Sequence, residues 1–186
     1  MKVLITGHKG FVGRHFVKYF ENRGDQVVGV DIKDGLDCRV FFKSCYEKFD
    51  LVVHLAAIVG GREMIENEPL AVATDLSIDS EMFNWAVRTN QPKIIYYSSS
   101  AAYPIKYQEK NSKIKMKEDF IDLDNISNPD FTYGWSKLTG ELLAEFAKKQ
   151  GVSVYVFRPF SGFGEDQDLT YPMPSFINRV INRVEE

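Results

Sequence analysis

The chain has 186 residues, of which 44% are hydrophobic and 26% charged, with a net charge of −3 at pH 7. That balance predicts one globular, soluble domain and excludes a disordered chain; the mild negative charge argues against nucleic acid as the main partner. No apolar run approaches the roughly 20 residues of a membrane span, no leader-like segment precedes the first strand, and the two cysteines, Cys38 and Cys45, lack metal-site spacing and fit reduced thiols, so no metal, no membrane and a cytoplasmic location are expected.

From the N-terminus, residues 2–6 form an apolar run ending at Gly7, as a buried parallel strand does. Val12, Phe16 and Phe20 recur at helical spacing, and Gly24 after Arg23 reads as a C-terminal cap. Residues 27–30 predict a second strand closed by Asp31, 51–55 a third, 93–98 a fourth and 152–157 a fifth. Helical patterns run over about 70–89 and 133–149. Strands alternating with helices predict an α/β fold, a doubly wound parallel sheet with right-handed crossovers. Residues 106–130 form a long polar connection, either a functional lid or a surface insertion. Its basic stretch 106–117, broken by Glu109, reads as solvated surface.

Gly7, Gly10 and Gly13 follow a strand and open a helix. In that context the first glycine permits a tight turn, the second lets backbone approach a pyrophosphate, and the third lets helix pack on strand. The helix N-terminus adds free N–H groups and a positive dipole end, a cradle for dinucleotide phosphates. Asp31 stands 18 residues after Gly13, where a carboxylate accepts hydrogen bonds from the adenosine ribose and repels a 2′-phosphate. This favours NAD over NADP, although Lys33 nearby works against the preference. Asp37 has two readings, a partner for the adenine amino group or a turn carboxylate. Leu55-Ala56-Ala57 leaves the third strand with side chains small enough for backbone to lie along the cofactor, and His54 reads as a satisfied core histidine. Ser98-Ser99-Ser100 leaves the fourth strand, where a hydroxyl would bond the reacting oxygen; the plainer reading is a serine-rich exit that satisfies backbone groups. Tyr133 and Lys137 share one helix face. The ammonium is expected to lower the tyrosine pKa toward working pH, so that the phenol exchanges a proton with a substrate hydroxyl while Lys137 donates to the nicotinamide ribose.

In this combination the chain resembles the extended short-chain dehydrogenase/reductase family, in its NAD-dependent epimerase/dehydratase branch. The phosphate loop, Asp31, His54-Leu55-Ala56-Ala57, the serine cluster, Tyr133/Lys137 and Arg158-Pro159-Phe160 stand in the family's order over nearly the whole chain. The resemblance implies a Rossmann fold and tightly held NAD, with Phe11, Val12 and Pro159 beside it along with the glycines. It implies a Ser–Tyr–Lys triad; counting four residues back from Tyr103, as in related epimerases, selects Ser99, with Ser100 its substrate-side neighbour. A nucleotide-sugar substrate is implied too, and so is a homodimer through a helical bundle, for which apolar residues on more than one side of the helices at 70–87 and from 133 leave spare surface. A second core layer is the other reading of that surface.

Family 4,6-dehydratases resemble one another in an Asp-Glu pair just after the triad hydroxyl, and decarboxylating relatives carry a Glu there; this chain has Ser100 and Ala101. Family 3,5-epimerases use a cysteine near the substrate, whereas Cys38 and Cys45 lie at the wrong end of the domain. What remains is similar to nucleotide-sugar 4-epimerases of the UDP-glucose/UDP-galactose type. The alternatives are a net nucleotide-sugar reductase or dehydratase, and an NAD-binding module without catalysis. Relatives usually carry an asparagine in the helix after the Leu-Ala-Ala strand, where this chain has Asp75. They also continue into a smaller C-terminal domain that grips the sugar nucleotide. Residues 1–186 are therefore expected to be the NAD-binding domain, with only a remnant of the substrate domain after about 160. The stretch 59–62 resembles GDP-sugar relatives.

Overall fold

Runs of valine, isoleucine and leucine buried on both faces build one parallel sheet. Its strands are β1 (Lys2–Thr6), β2 (Gln26–Val30), β3 (Leu51–His54), β4 (Lys93–Tyr97) and β5 (Ser153–Phe157), in the order β2-β1-β3-β4-β5. This computed structural model describes every residue except Gly61, 109–112, Ser161, Glu165 and 184–186, and omits the side chains of Arg62 and Glu63. Residues 109–112 of the basic stretch, Glu109 and Lys110 among them, and Gly61 of the stretch 59–62 therefore lie outside the described residues.

Successive strand residues point to opposite faces. Val3, Ile5, Leu51 and Val53 cluster with Phe16 and Phe20 of α1 (Gly13–Asn22). Leu4, Val52, Ile94, Tyr96 and Val154 cluster on the other face with Phe42 of α2 (Cys38–Ser44), with Met82 and Trp85 of α5 (Thr74–Arg88), and with Ala144 of α6 (Phe131–Lys149). Helices on both faces make the sheet doubly wound. It is Rossmann-like with a shortened first half: between β2 and β3 the chain makes only a 3-10 turn at Ile32–Asp34 and α2, so β2 forms the edge. The strand order reverses at β1 and β3, where ligands of open α/β sheets bind beyond the strand C-termini.

The helical pattern expected over 70–89 divides into α4 (Pro69–Val72) and α5, preceded by α3 (Arg62–Asn67). Ala73 between them keeps near-helical dihedrals (φ −62°, ψ −15°), so the helical path continues across the division. A last helix, α7 (Pro172–Ile181), follows β5.

Packing of α6 on the sheet turns on Gly140. A methyl group there would stand 1.9 Å from the Tyr96 hydroxyl oxygen and 2.8 Å from Asp79 Oδ2. Alanine is the better helix former by about 1 kcal/mol, yet Gly140→Ala is expected to destabilise the protein by about 1–3 kcal/mol through overpacking against a fully buried ring. The measurement is a lower urea midpoint at unchanged m-value.

Candidate active site

The loop after β1 is built for close approach. Gly7 has φ +69° and its N–H donates to Val30 O at 2.8 Å, tying the loop to β2. A Cβ on Gly13 would lie 2.1 Å from the Gly7 carbonyl oxygen, so only glycine lets α1 begin there. Val12 occupies the cap position of α1 without a side-chain cap hydrogen bond, and the first turn carries no acid. The N–H groups of Phe11, Val12 and Gly13 have no backbone acceptor among the described residues and are left for an anion, and the cradle fits a dinucleotide pyrophosphate. Leu55 and Ala56 lie against Gly7, whose added Cβ would meet the Ala56 nitrogen at 3.0 Å. Phe11 borders the same loop, within 2.9 Å of a Cβ placed on Gly164, and Arg14 pairs with Asp166, so the segment after β5 folds back toward the cradle.

Asp31 ends β2 with its side chain turned into the loop: Oδ2 accepts the Lys9 N–H at 2.8 Å and Oδ1 the Lys33 N–H at 2.9 Å. A carboxylate has about four acceptor positions, so capacity for ribose hydroxyls remains. Asp37 supplies the turn-carboxylate geometry: it accepts the Arg39 N–H at 2.8 Å at the start of α2 and is clamped by the Arg39 guanidinium, whose hydrogen bonds hold its pKa below the ordinary value. Cys38 sits beside it, buried, its thiol pushed up to about 11 by burial and then by Asp37.

Under the strand ends lies a row of polar side chains. Thr6, His54 and Tyr96 are paired residues of β1, β3 and β4 and face α5 and α6. The Thr6 hydroxyl accepts the Leu55 and Ala56 N–H groups at 3.2 Å each and stands 2.8 Å from His54 Nδ1. It therefore donates to that nitrogen, which assigns the His54 proton to Nε2, directed at Asp79 Oδ1 at 3.2 Å. Tyr96 donates to Asp79 Oδ2 at 2.5 Å, and Lys137 Nζ lies 3.9 Å from the same oxygen. Burial disfavours the Asp79 charge, but Lys137, His54 and Tyr96 outweigh it and its pKa is lowered. Burial likewise opposes the Lys137 charge, yet Asp79, Tyr133 and Asp75 raise its pKa overall.

Tyr133 reaches this cluster from the first turns of α6, where the nearby Ser99 side chain favours its ionised form. Ser99 also accepts the Ala101 N–H at 3.1 Å as the chain enters the 3-10 turn Ser100–Ala102, and Ser100 donates its N–H to Pro159 O at 3.1 Å. The strand exits thus bring Ser99, Ser100 and Pro159 beside Tyr133 and Lys137. The expected lowering of the Tyr133 pKa does not hold. Burial raises it most, Lys137 and Ser99 pull it down, Asp75 and Asp79 push it up, and the net is above the ordinary value. The ammonium is where the spacing placed it, but burial of the phenol outweighs its pull, and Asp75 and Asp79 add to the rise.

Asp75 itself is fully buried. Oδ1 accepts the Ile58 N–H at 2.6 Å; Oδ2 has no partner among the described residues. Burial, reinforced by Asp79 and only partly offset by Lys137 and the Ile58 amide, pushes its pKa to about 6.

A second buried acid was not anticipated. Glu141 accepts from Ser98 Oγ at 2.5 Å and is gripped by Arg158 through Nε at 2.9 Å and Nη2 at 2.7 Å. Arg158 also donates to Glu118 O at 2.9 Å, fastening the connection at 106–130 to α6 and β5. Tyr133, Lys137 and Glu141 recur every fourth residue, a spacing that puts all three on one face of α6 and was open to reading in the sequence.

The Asp75 carboxyl makes stability depend on pH. Unfolded, it loses its proton near 3.8; folded, near 6. Between those values the folded protein binds more protons, so stability falls as pH rises through this window, by roughly 3 kcal/mol in all. Asp75→Asn is expected to remove this slope, read from urea midpoints between pH 4 and 7; the same slope in the variant refutes the assignment.

Residues 3–186 match the model of the NAD dependent epimerase/dehydratase family. The chain is 25% identical, over 87% of its length, to a dTDP-4-dehydro-6-deoxy-D-allose reductase from a Streptomyces species, and spans 56% of that protein. To UDP-glucuronate 4-epimerase 3 of Arabidopsis thaliana it is 27% identical over 87% of its length, and spans 42% of it. The UDP-glucose 4-epimerase of Thermus thermophilus, solved as a complex with NAD, has the same fold: TM-score 0.77 at 20% identity, over 100% of this chain and 64% of that one. The chain thus spans about half the length of these curated relatives. The matched residues take in the glycine cradle, the serine exit and the Tyr133/Lys137 pair, and the chain belongs to the NAD dependent epimerase/dehydratase family, with NAD as its cofactor.

Proposed function

We propose that the protein is an NAD-dependent 4-epimerase of nucleotide sugars, of the UDP-glucose/UDP-galactose type. The observation that carries this reading is the meeting of Ser99, Tyr133 and Lys137 beside the glycine cradle, with no carboxylate at Ser100 or Ala101. Elimination of water needs an added acid and base there; reversible oxidation of a hydroxyl does not. Bound NAD supplies a reversible hydride acceptor. Once ionised, Tyr133 takes the proton of the sugar 4-hydroxyl as hydride leaves carbon 4 for the cofactor, and Ser99 holds the oxygen. Lys137 keeps the phenol oriented and holds the nicotinamide ribose. The 4-keto sugar then turns over and regains hydride on its other face while Tyr133 returns the proton. Gly7, Gly10, Phe11, Val12, Gly13, Asp31, Leu55, Ala56, Ala57 and Pro159 line the cofactor in this reading, and Ser100 meets the sugar; Asp37 is placed at the adenine only if it leaves its Arg39 clamp. Residues 1–186 act as the NAD-binding unit, with the stretch after about 160 on the substrate side.

We read the protein as a cytoplasmic homodimer. No described helix is long and apolar enough to cross a membrane, and Leu76 of α5 with Trp135 and Phe146 of α6 are exposed apolar residues available to a helical interface. The similarity to a dTDP-sugar reductase supports a second reading, net reduction of a keto sugar.

The two separate cleanly. An epimerase interconverts UDP-glucose and UDP-galactose, or their N-acetyl forms, without added reductant; a reductase consumes NADH or NADPH one for one. Absence of turnover on any UDP-, dTDP- or GDP-sugar would end the epimerase reading. Tyr133→Phe is expected to lower kcat by about 10²–10⁴-fold, measured by product analysis, and normal turnover by that variant would remove Tyr133 from the reaction.

A further inference from the structure

Behind Tyr133, α5 carries two buried aspartates one turn apart, and they are not equivalent. Asp79 is saturated by His54, Tyr96 and Lys137. Asp75 receives one hydrogen bond, from the Ile58 amide, and its other oxygen is buried without a partner among the described residues. An asparagine would make the same bond to Ile58, so that bond alone does not call for an acid.

The charges facing Asp75 can be named element by element. α6 presents Lys137 and Tyr133, and its own helix presents Asp79. From the sheet, His54 and Tyr96 are directed at Asp79. From α2, Arg39 and Lys43 reach Ser77 and Glu81, on other sides of α5. With both carboxylates ionised, Lys137 charged and Tyr133 neutral, the cluster carries one net negative charge away from water. Ionising Tyr133 would add a second, which low polarity makes unfavourable. A proton on the one uncommitted carboxyl removes that conflict.

We propose that Asp75 is a positioning residue for the proton chemistry of Tyr133: its free carboxyl oxygen, by holding or releasing a proton, decides how much of the Lys137 charge the phenol feels. This rests on Tyr133 being the acid–base group of the proposed reaction. Protonated, Asp75 leaves Lys137 balanced by Asp79 alone, and the phenol ionises more readily. Ionised, as it becomes when pH rises past about 6, it holds the proton on Tyr133.

The test is a pair of NMR titrations of the full chain, with ¹³C-labelled tyrosine and ¹³C-labelled aspartate. Comparison with Tyr133→Phe identifies the Tyr133 signal. In the wild type the Asp75 carboxyl is expected to titrate at about 6; a midpoint in the ordinary carboxylate range overturns the proposal without any variant. In Asp75→Asn, Tyr133 is expected to titrate at lower pH than in the wild type, and the base limb of the kcat/KM profile to move the same way. An unmoved Tyr133 midpoint overturns the proposal. So does a shift seen in Asp75→Ala alone, which would trace the effect to the lost Ile58 bond. The titrations need no turnover. A wild type inactive on every sugar nucleotide would therefore defeat the epimerase reading while leaving the Asp75–Tyr133 coupling to be judged by its own shift.

Discussion

The architecture depends on one buried carboxylate. Asp79 is shut away from water, and an unpaired charge in such a place costs several kcal/mol. It is tolerated because donors arrive from three other elements: His54 from β3, Tyr96 from β4 and Lys137 from α6. Each donor fixes something else. His54 needs its second nitrogen satisfied, and Thr6 of β1 does this only because β1, β3 and β4 are in register. Lys137 reaches inward only because α6 presses against Tyr96, and that approach requires Gly140 to have no side chain. A slip of one residue in β3 or β4 would turn His54 or Tyr96 to the opposite face and take that donor from Asp79.

Glu141 imposes a similar constraint one turn further along α6. Its bidentate pair with Arg158 joins the end of β5 to α6, its bond from Ser98 joins the end of β4, and Arg158 reaches on to the Glu118 carbonyl. Two buried acids thus clamp α6 at successive turns, and Tyr133 projects from the clamped helix. In the proposed reaction the phenol both takes and returns a proton and needs such fixed placement, because misplacement by about 1 Å can cost orders of magnitude in rate.

The five strands were legible because each is a short run rich in β-branched and aliphatic residues, three of them ended by Gly7, Asp31 or Ser98. The glycine cradle was legible because Gly7 and Gly13 are required by geometry: a positive φ at one and a 2.1 Å collision at the other. Tyr133, Lys137 and Ser99 were legible as residue types at a spacing. Their electrostatics were not. Whether an ammonium lowers a neighbouring pKa depends on what else it faces, and Asp75 and Asp79 come from a helix more than forty residues upstream, brought in by the sheet. Asp79 sits among Ile78, Met82 and Phe83, where a lone acid on an apolar stripe gives no hint of its partners. The division at Ala73 was equally hidden, since both sides of it are helical.

Those electrostatics suit the proposed reaction, which runs in both directions. A phenol with a strongly depressed pKa gives up its proton readily but is a poor base; one left high is a good base that seldom ionises. Here Lys137 carries one fixed countercharge, Asp79, which the ammonium itself and then hydrogen bonds from His54 and Tyr96 keep ionised, and one adjustable countercharge, Asp75, which burial holds near the point of titration. The fixed acid keeps the ammonium charged and in place. The adjustable one lets the same buried volume accept either protonation state of Tyr133 without a large change in net charge. A bonded asparagine in place of Asp75 would preserve the packing of α5 against the loop after β3 and lose this freedom, so the acid at that position has a physical consequence that the hydrogen bond to Ile58 does not account for.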